Sequence, residues 1–95
     1  MDRLSTEYLQ IPITADADPT GYPVRIAVVP DDDRPADGDW HNATWSTISG
    51  THYAQLLVGP DGGAITLGPG RWRPWIDIDA GTEHPVIAAP YIQIT

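Results

Sequence analysis

Two aspartates, Asp77 and Asp79, stand two positions apart in the segment RWRPWIDID. On an extended strand this spacing puts both carboxylates on one face, about 6.6 Å apart, a separation that an inverting glycosidase pair can use. The same face carries Arg71 and Arg73, so the simpler expectation is a solvated strand face with its charges compensated. A second acidic group, Asp31-Asp32-Asp33 with Asp37 and Asp39, gathers the oxygen donors a hard cation favours. It lacks the spacing of an EF-hand, and the simpler expectation is a hydrated loop. His41, His52 and His84 lie on separate segments, and nothing in their spacing suggests a zinc site. Cysteine is absent, which removes disulfides, thiolate chemistry and Cys-based metal sites. Asn42-Ala43-Thr44 fits the glycosylation acceptor pattern, yet no secretion signal accompanies it: Met1 is followed by charged Asp2 and Arg3 rather than an apolar run. No catalytic residue, cofactor or metal is expected from this inventory, and the protein is not expected to be an enzyme.

Glycine-rich stretches could cradle phosphate, but that use needs a strand before the loop and a helix after it. GPDGG is followed by AITL, which cannot start a helix of useful length. Pro60-Asp61-Gly62 has the residue types of a tight turn, and Gly68-Pro69-Gly70 repeats the pattern. Thirteen acidic residues against five basic ones give a formal charge of −8, a surface that a phosphate backbone repels, so no direct nucleic-acid contact is expected. All five basic residues are arginine; the codon usage of a GC-rich genome is the plain reading. No apolar run approaches the roughly 20 residues of a membrane span, and no membrane contact is expected.

The elements that must position these residues are short strands. Ten prolines and nine glycines are scattered through 95 residues, leaving helices little room to propagate. LSTEYLQIPIT alternates Leu9, Ile11 and Ile13 against Tyr8, Gln10 and Pro12, with Pro12 arguing for an edge or a bulge. YPVRIAVVP alternates Val24, Ile26 and Val28 against Arg25, Ala27 and Val29. Residues 30–39 form a polar loop. A short strand is predicted around residues 43–47, another over THYAQLLV, a brief one at AITL, a longer one over RWRPWIDID and a last one in PVIAAPYIQIT. About seven short strands separated by turn signals predict one domain over 1–95, an all-β, immunoglobulin-like antiparallel β-sandwich; a small β-barrel is the alternative.

Trp45 and Trp72 are expected to fill the thin core, each indole N–H reaching a partner. Trp75 differs, because it shares a strand face with Arg71, Arg73 and Asp77. Arginine and tryptophan are enriched at interface hot spots, so Arg71, Arg73, Trp75 and Asp77 are the predicted partner interface. The other reading of Trp75 is a ring lying under the 30–39 loop.

Several blocks carry a resemblance: DRLSTEYLQIPIT, DWHNATW, YAQLLVGPDG and LGPGRWRPWIDI with EHPV, followed by a terminal IQIT. In this order they resemble a family of small virion structural proteins encoded by tailed phages of actinobacteria, among the head and head–tail genes. The most distinctive pieces are Leu57-Val58-Gly59-Pro60 and the pair Trp40 and Trp45. Trp72 departs from the pattern, standing in place of Tyr, and Pro74 stands in place of an apolar strand residue. The resemblance implies a non-enzymatic structural role in the virion, in multiple copies at the head–tail connection (neck) or on the capsid surface. The implied partners are capsid, portal or neck subunits, with assembly in the cytoplasm of the bacterial host. A function of another class, a carbohydrate-binding β-sandwich module, is the alternative that the Trp and Tyr content suggests.

Overall fold

Period-two alternation decides where strands form and which side of each is dry. The computed structural model describes residues 1–15 and 17–95, with seven strands: β1 (Glu7–Ile13), β2 (Val24–Pro30), β3 (Trp40–Ile48), β4 (Thr51–Val58), β5 (Gly70–Ile78), β6 (Val86–Ala88) and β7 (Ile92–Ile94). β1 turns Leu9, Ile11 and Ile13 toward the core, while Tyr8, Gln10 and Pro12 are exposed. β4 buries Ala54, Leu56 and Val58 in the same alternation.

All pairings are antiparallel, in the order β1-β4-β3-β2-β5-β6, with β7 also bonded to β5. β3 is shared between two wings: its first half pairs with β2, as far as Ala43 opposite Val24, and its second half pairs with β4 from Thr44 opposite Gln55. The sheet curls there into a half-barrel. Ile11, Ala54, Leu56 and Val58 from one wing meet Ile26, Ile76, Ile78 and Ile94 from the other across the core. The fold is therefore all-β and antiparallel, and the two expected layers are the two wings of one curled sheet. Trp45 and Trp72 pack half-buried against this core, their indole N–H groups donating to Tyr22 O (2.8 Å) and Gly68 O (2.9 Å).

β1 lies at the sheet edge, which accommodates Pro12. Pro74 lies in β5, a central strand with β2 on one side and β6 and β7 on the other, so no edge explains it. The bulge is instead on its partner. Trp75 faces Ala88 while Trp72 faces Ile92, so the last segment holds one residue more than the stretch of β5 opposite it. Ala89 N–H donates to Pro74 O at 2.9 Å, but Pro74 has no N–H to return the bond. Arg73 Nε donates to Ala89 O at 3.1 Å and supplies the missing donor.

AITL is not a strand. Ile65 makes a single parallel bridge with Val58, and Leu67 is buried. The GPDGG stretch is a turn held by Gly59 N–H on Ile65 O (2.9 Å), Ala64 N–H on Leu57 O (2.8 Å) and Asp61 N–H on Thr6 Oγ1 (3.0 Å). Gly59 has φ +136°, and a Cβ there would overlap the backbone of Ser5 and Thr6. Ser49 (φ 51°) and Gly50 (φ 80°) form the two-residue turn of the β3–β4 hairpin, where both positive φ values suit a primed turn. The expected turn over 15–21 contains a 3-10 turn at Pro19–Gly21 capped by Asp18; Asp16 lies outside the described residues.

Candidate partner interface

The outer face of β2 and β5 is not open to solvent in the way a single curled sheet would suggest. Ala27 and Val29 point away from the main core yet are buried (0% and 3% exposed). Their register neighbours are Trp40, Trp75 and Arg73, and the 30–39 loop lies alongside. Four of the five arginines stack on aromatic rings here: Arg25 over Trp40 (5.2 Å), Arg34 over Trp75 (5.5 Å), and Arg71 and Arg73 each over Tyr91 (4.4 Å). A planar guanidinium covers a ring in a way an ammonium does not, which gives the arginine-only composition a physical use.

Each residue of the predicted interface has partners within the chain. Arg71 Nε donates to Asp31 Oδ1 at 2.7 Å, and this bond raises the guanidinium pKa further above its ordinary value. Arg73 Nη1 donates to Tyr91 Oη at 2.9 Å, and Tyr91 donates onward to Asp32 Oδ1 at 2.9 Å. Trp75 is half-buried with Arg34 over its ring, and its Nε1 is buried with no hydrogen-bond partner among the described residues. Asp77 departs furthest from a solvated face: it is 4% exposed, bound by the Arg25 guanidinium. β2 places Arg25 directly opposite Asp77, so the pairing follows from register.

His84 brings the two strand aspartates together. Its Nδ1 lies 3.4 Å from Asp77 Oδ1 and its Nε2 lies 3.2 Å from Asp79 Oδ1. Both ring nitrogens face carboxylates, which fits a clasp between the end of β5 and the 79–85 loop better than a base presented to a substrate. The acidic loop is drawn apart rather than gathered: Asp31 turns to Arg71, Asp32 to Tyr91, and Asp39 accepts the Ala36 N–H at 2.8 Å.

The open side of the half-barrel is of another character. Between the edge of β1 and β6 runs an apolar trough of about 330 Å³, walled by Ile11, Ile13, Ile76, Ile87 and Pro90. It continues past Leu9 and Tyr91 at one end. At the other it passes Ile13 and Thr14 into a more polar hollow with Asp18 and His52. Ile78 N–H bonds to Pro85 O (3.1 Å) and Ala89 N–H to Pro74 O, so alternation turns the N–H and C=O of Val86 and Ala88 away from β5. Ile87 stands opposite Ile76 on the inner face and is still 46% exposed, because β6 ends the sheet. Val86 is 51% exposed. β7 is not left bare in the same way: Thr95 N–H donates to Met1 O (2.9 Å) and Arg3 N–H to Thr95 O (2.8 Å).

No family model, curated protein or solved structure matches the chain. The trough was missed by sequence reasoning. Its signal was the apolar run VIAA between Pro85 and Pro90, too short to reveal which strand it would pair with.

Proposed function

We propose that the protein is a non-enzymatic assembly subunit of a tailed-phage particle, present in several copies at the head–tail connection or on the capsid surface and held there by other virion proteins. The sequence blocks that resemble small virion proteins support this reading. The structural observation that carries it is the bare β6 edge beside an apolar trough, since exposed apolar surface next to unpaired backbone groups is a feature of protein-binding sites. The acidic surface, at −8, suits docking on a basic ring of subunits.

The tryptophans speak against the carbohydrate-binding alternative. A sugar platform needs exposed ring faces, whereas all four tryptophans are half-buried. Two of them have their indole N–H tied to backbone carbonyls, and arginines cover the other two. The test is co-purification: in a lysate of infected host cells the chain should band with intact particles in a density gradient. Recovery only in the soluble fraction would overturn the proposal.

A further inference from the structure

We infer that β6 receives an extended segment of a partner virion protein as an added strand, apolar on the side facing the trough and basic at the end that reaches Asp18. The inference rests on the assembly reading, which supplies the kind of partner; the docking mode comes from the geometry.

Main-chain groups fix the mode. Val86 and Ala88 offer outward N–H and C=O groups in the alternation an antiparallel neighbour needs. The facing edge, β1, is less suited to accept the strand, because Pro12 blunts it. Side chains fix the composition. Alternate residues of an added strand would point inward onto Ile11, Ile13 and Ile87, which together present no polar group. Residues 9–14, from β1 and the residue that follows it, wall the two apolar hollows, so the trough is about 20 Å long at strand spacing and takes a segment of about six residues.

Charge selects the occupant. No arginine lines the trough or the hollow beyond it, among the described residues. Asp18 does, with its side chain 67% exposed. The Thr20 N–H and hydroxyl both bond to Oδ1 and His52 Nε2 lies 3.7 Å from the same oxygen, leaving Oδ2 without a partner among the described residues. A second copy of this chain, itself at −8, is repelled, whereas a segment that ends in arginine or lysine meets a carboxylate positioned to receive it.

Two labelled probe peptides test this, both of alternating valine and threonine, one ending in paired arginines and the other in paired glutamates. By fluorescence anisotropy the arginine peptide should bind about tenfold tighter than the glutamate peptide. Asp18→Asn preserves the cap on Thr20 and should remove most of that preference. Ile87→Asp should weaken the arginine peptide by at least about tenfold. Ala88→Pro removes an outward N–H while leaving the bonds to β5 in place, so it should weaken binding even if Ile87→Asp were to compromise folding. Bound peptide should also slow amide exchange at Val86 and Ala88. Equal binding of the two peptides, or wild-type affinity in Ala88→Pro, would overturn the inference. So would self-association of the chain through β6. In particles the two readings separate. Normal incorporation of a folded Ile87→Asp chain overturns the docking inference and leaves the assembly reading standing. Absence of the wild-type chain from particles, with the arginine peptide still bound at β6, overturns the assembly reading instead.

Discussion

A carboxylate only 4% exposed must have its charge compensated, and Asp77 relies on the Arg25 guanidinium for this, with His84 Nδ1 3.4 Å from its other oxygen. Arg25→Met keeps an apolar stem against Trp40 but leaves Asp77 with His84 alone. The Arg25 side chain is 45% exposed, so the expected loss is below that of a fully buried pair, about 2 kcal/mol by denaturant melts. A loss under about 0.5 kcal/mol would mean the pair contributes nothing measurable. Trp75 offers a contrast between size and polarity. Trp75→Ala should lower the stability of the free domain by about 2 kcal/mol, because it removes a half-buried ring from under Arg34. Trp75→Phe should stay within about 1 kcal/mol of wild type, since the N–H it deletes has no partner to lose among the described residues. At Asp18, the bonds from Thr20 hold the carboxyl pKa below its ordinary value. A depressed folded-state pKa means the contribution is present above the ordinary carboxylate range and is lost as pH falls through the lowered value. The Tm gap between wild type and Asp18→Asn should therefore narrow on acidification; a gap constant with pH would show that the charge on Asp18 is immaterial to the fold.

At the scale of the element, the junction of β5 with the last segment shows how a proline fits into a central strand. Arg73 Nε replaces the N–H that Pro74 lacks, on the carbonyl of Ala89. Pro74→Val restores a backbone donor, so removing the arginine should then matter less. A double-mutant cycle of Arg73→Met with Pro74→Val should give a coupling of about 1 kcal/mol; additive losses would mean that the side chain does not stand in for the backbone. The same junction marks the limit of what was legible in the sequence. Period-two alternation exposed β1, β2, β4 and β5, because each carries at least three apolar residues on one face. Pro74 suggested an edge or a bulge, yet a bulge on the neighbouring segment with a side-chain donor satisfies it equally well. Alternation likewise placed Asp77 beside Arg71, Arg73 and Trp75 on one face, but it carries no information about pairing. The partners Arg25 and His84 come from strand order and from a loop return, both of them long-range. The trough escaped for the same reason, since β1 and β6 approach each other only after the whole sheet has curled.

For the whole molecule, stability should be graded from the centre of the sheet outward. β2, β4 and β5 each have neighbours on both sides, while β6 is short and, among the described residues, unpaired on one side. Native-state amide exchange should be slowest at Ile26 and Ala27 in β2, whose N–H groups face β3 and β5, and fastest within the strands at Val86 and Ala88; equal protection at β6 would mean that the open side is already closed in solution. The pairing of residues 1–3 with residues 93–95 has a separate consequence. The Met1 ammonium donates to Gln93 O at 2.9 Å, so the two chain ends leave the sheet side by side. Ends this close allow circular permutation. A short flexible linker joining Thr95 to Met1, with new ends opened between Ser49 and Gly50 in the exposed hairpin turn, should give a permutant with the same sheet. The same proximity would let the unit be grafted into a surface loop of a host protein, entering and leaving at one point and displaying its unpaired strand outward.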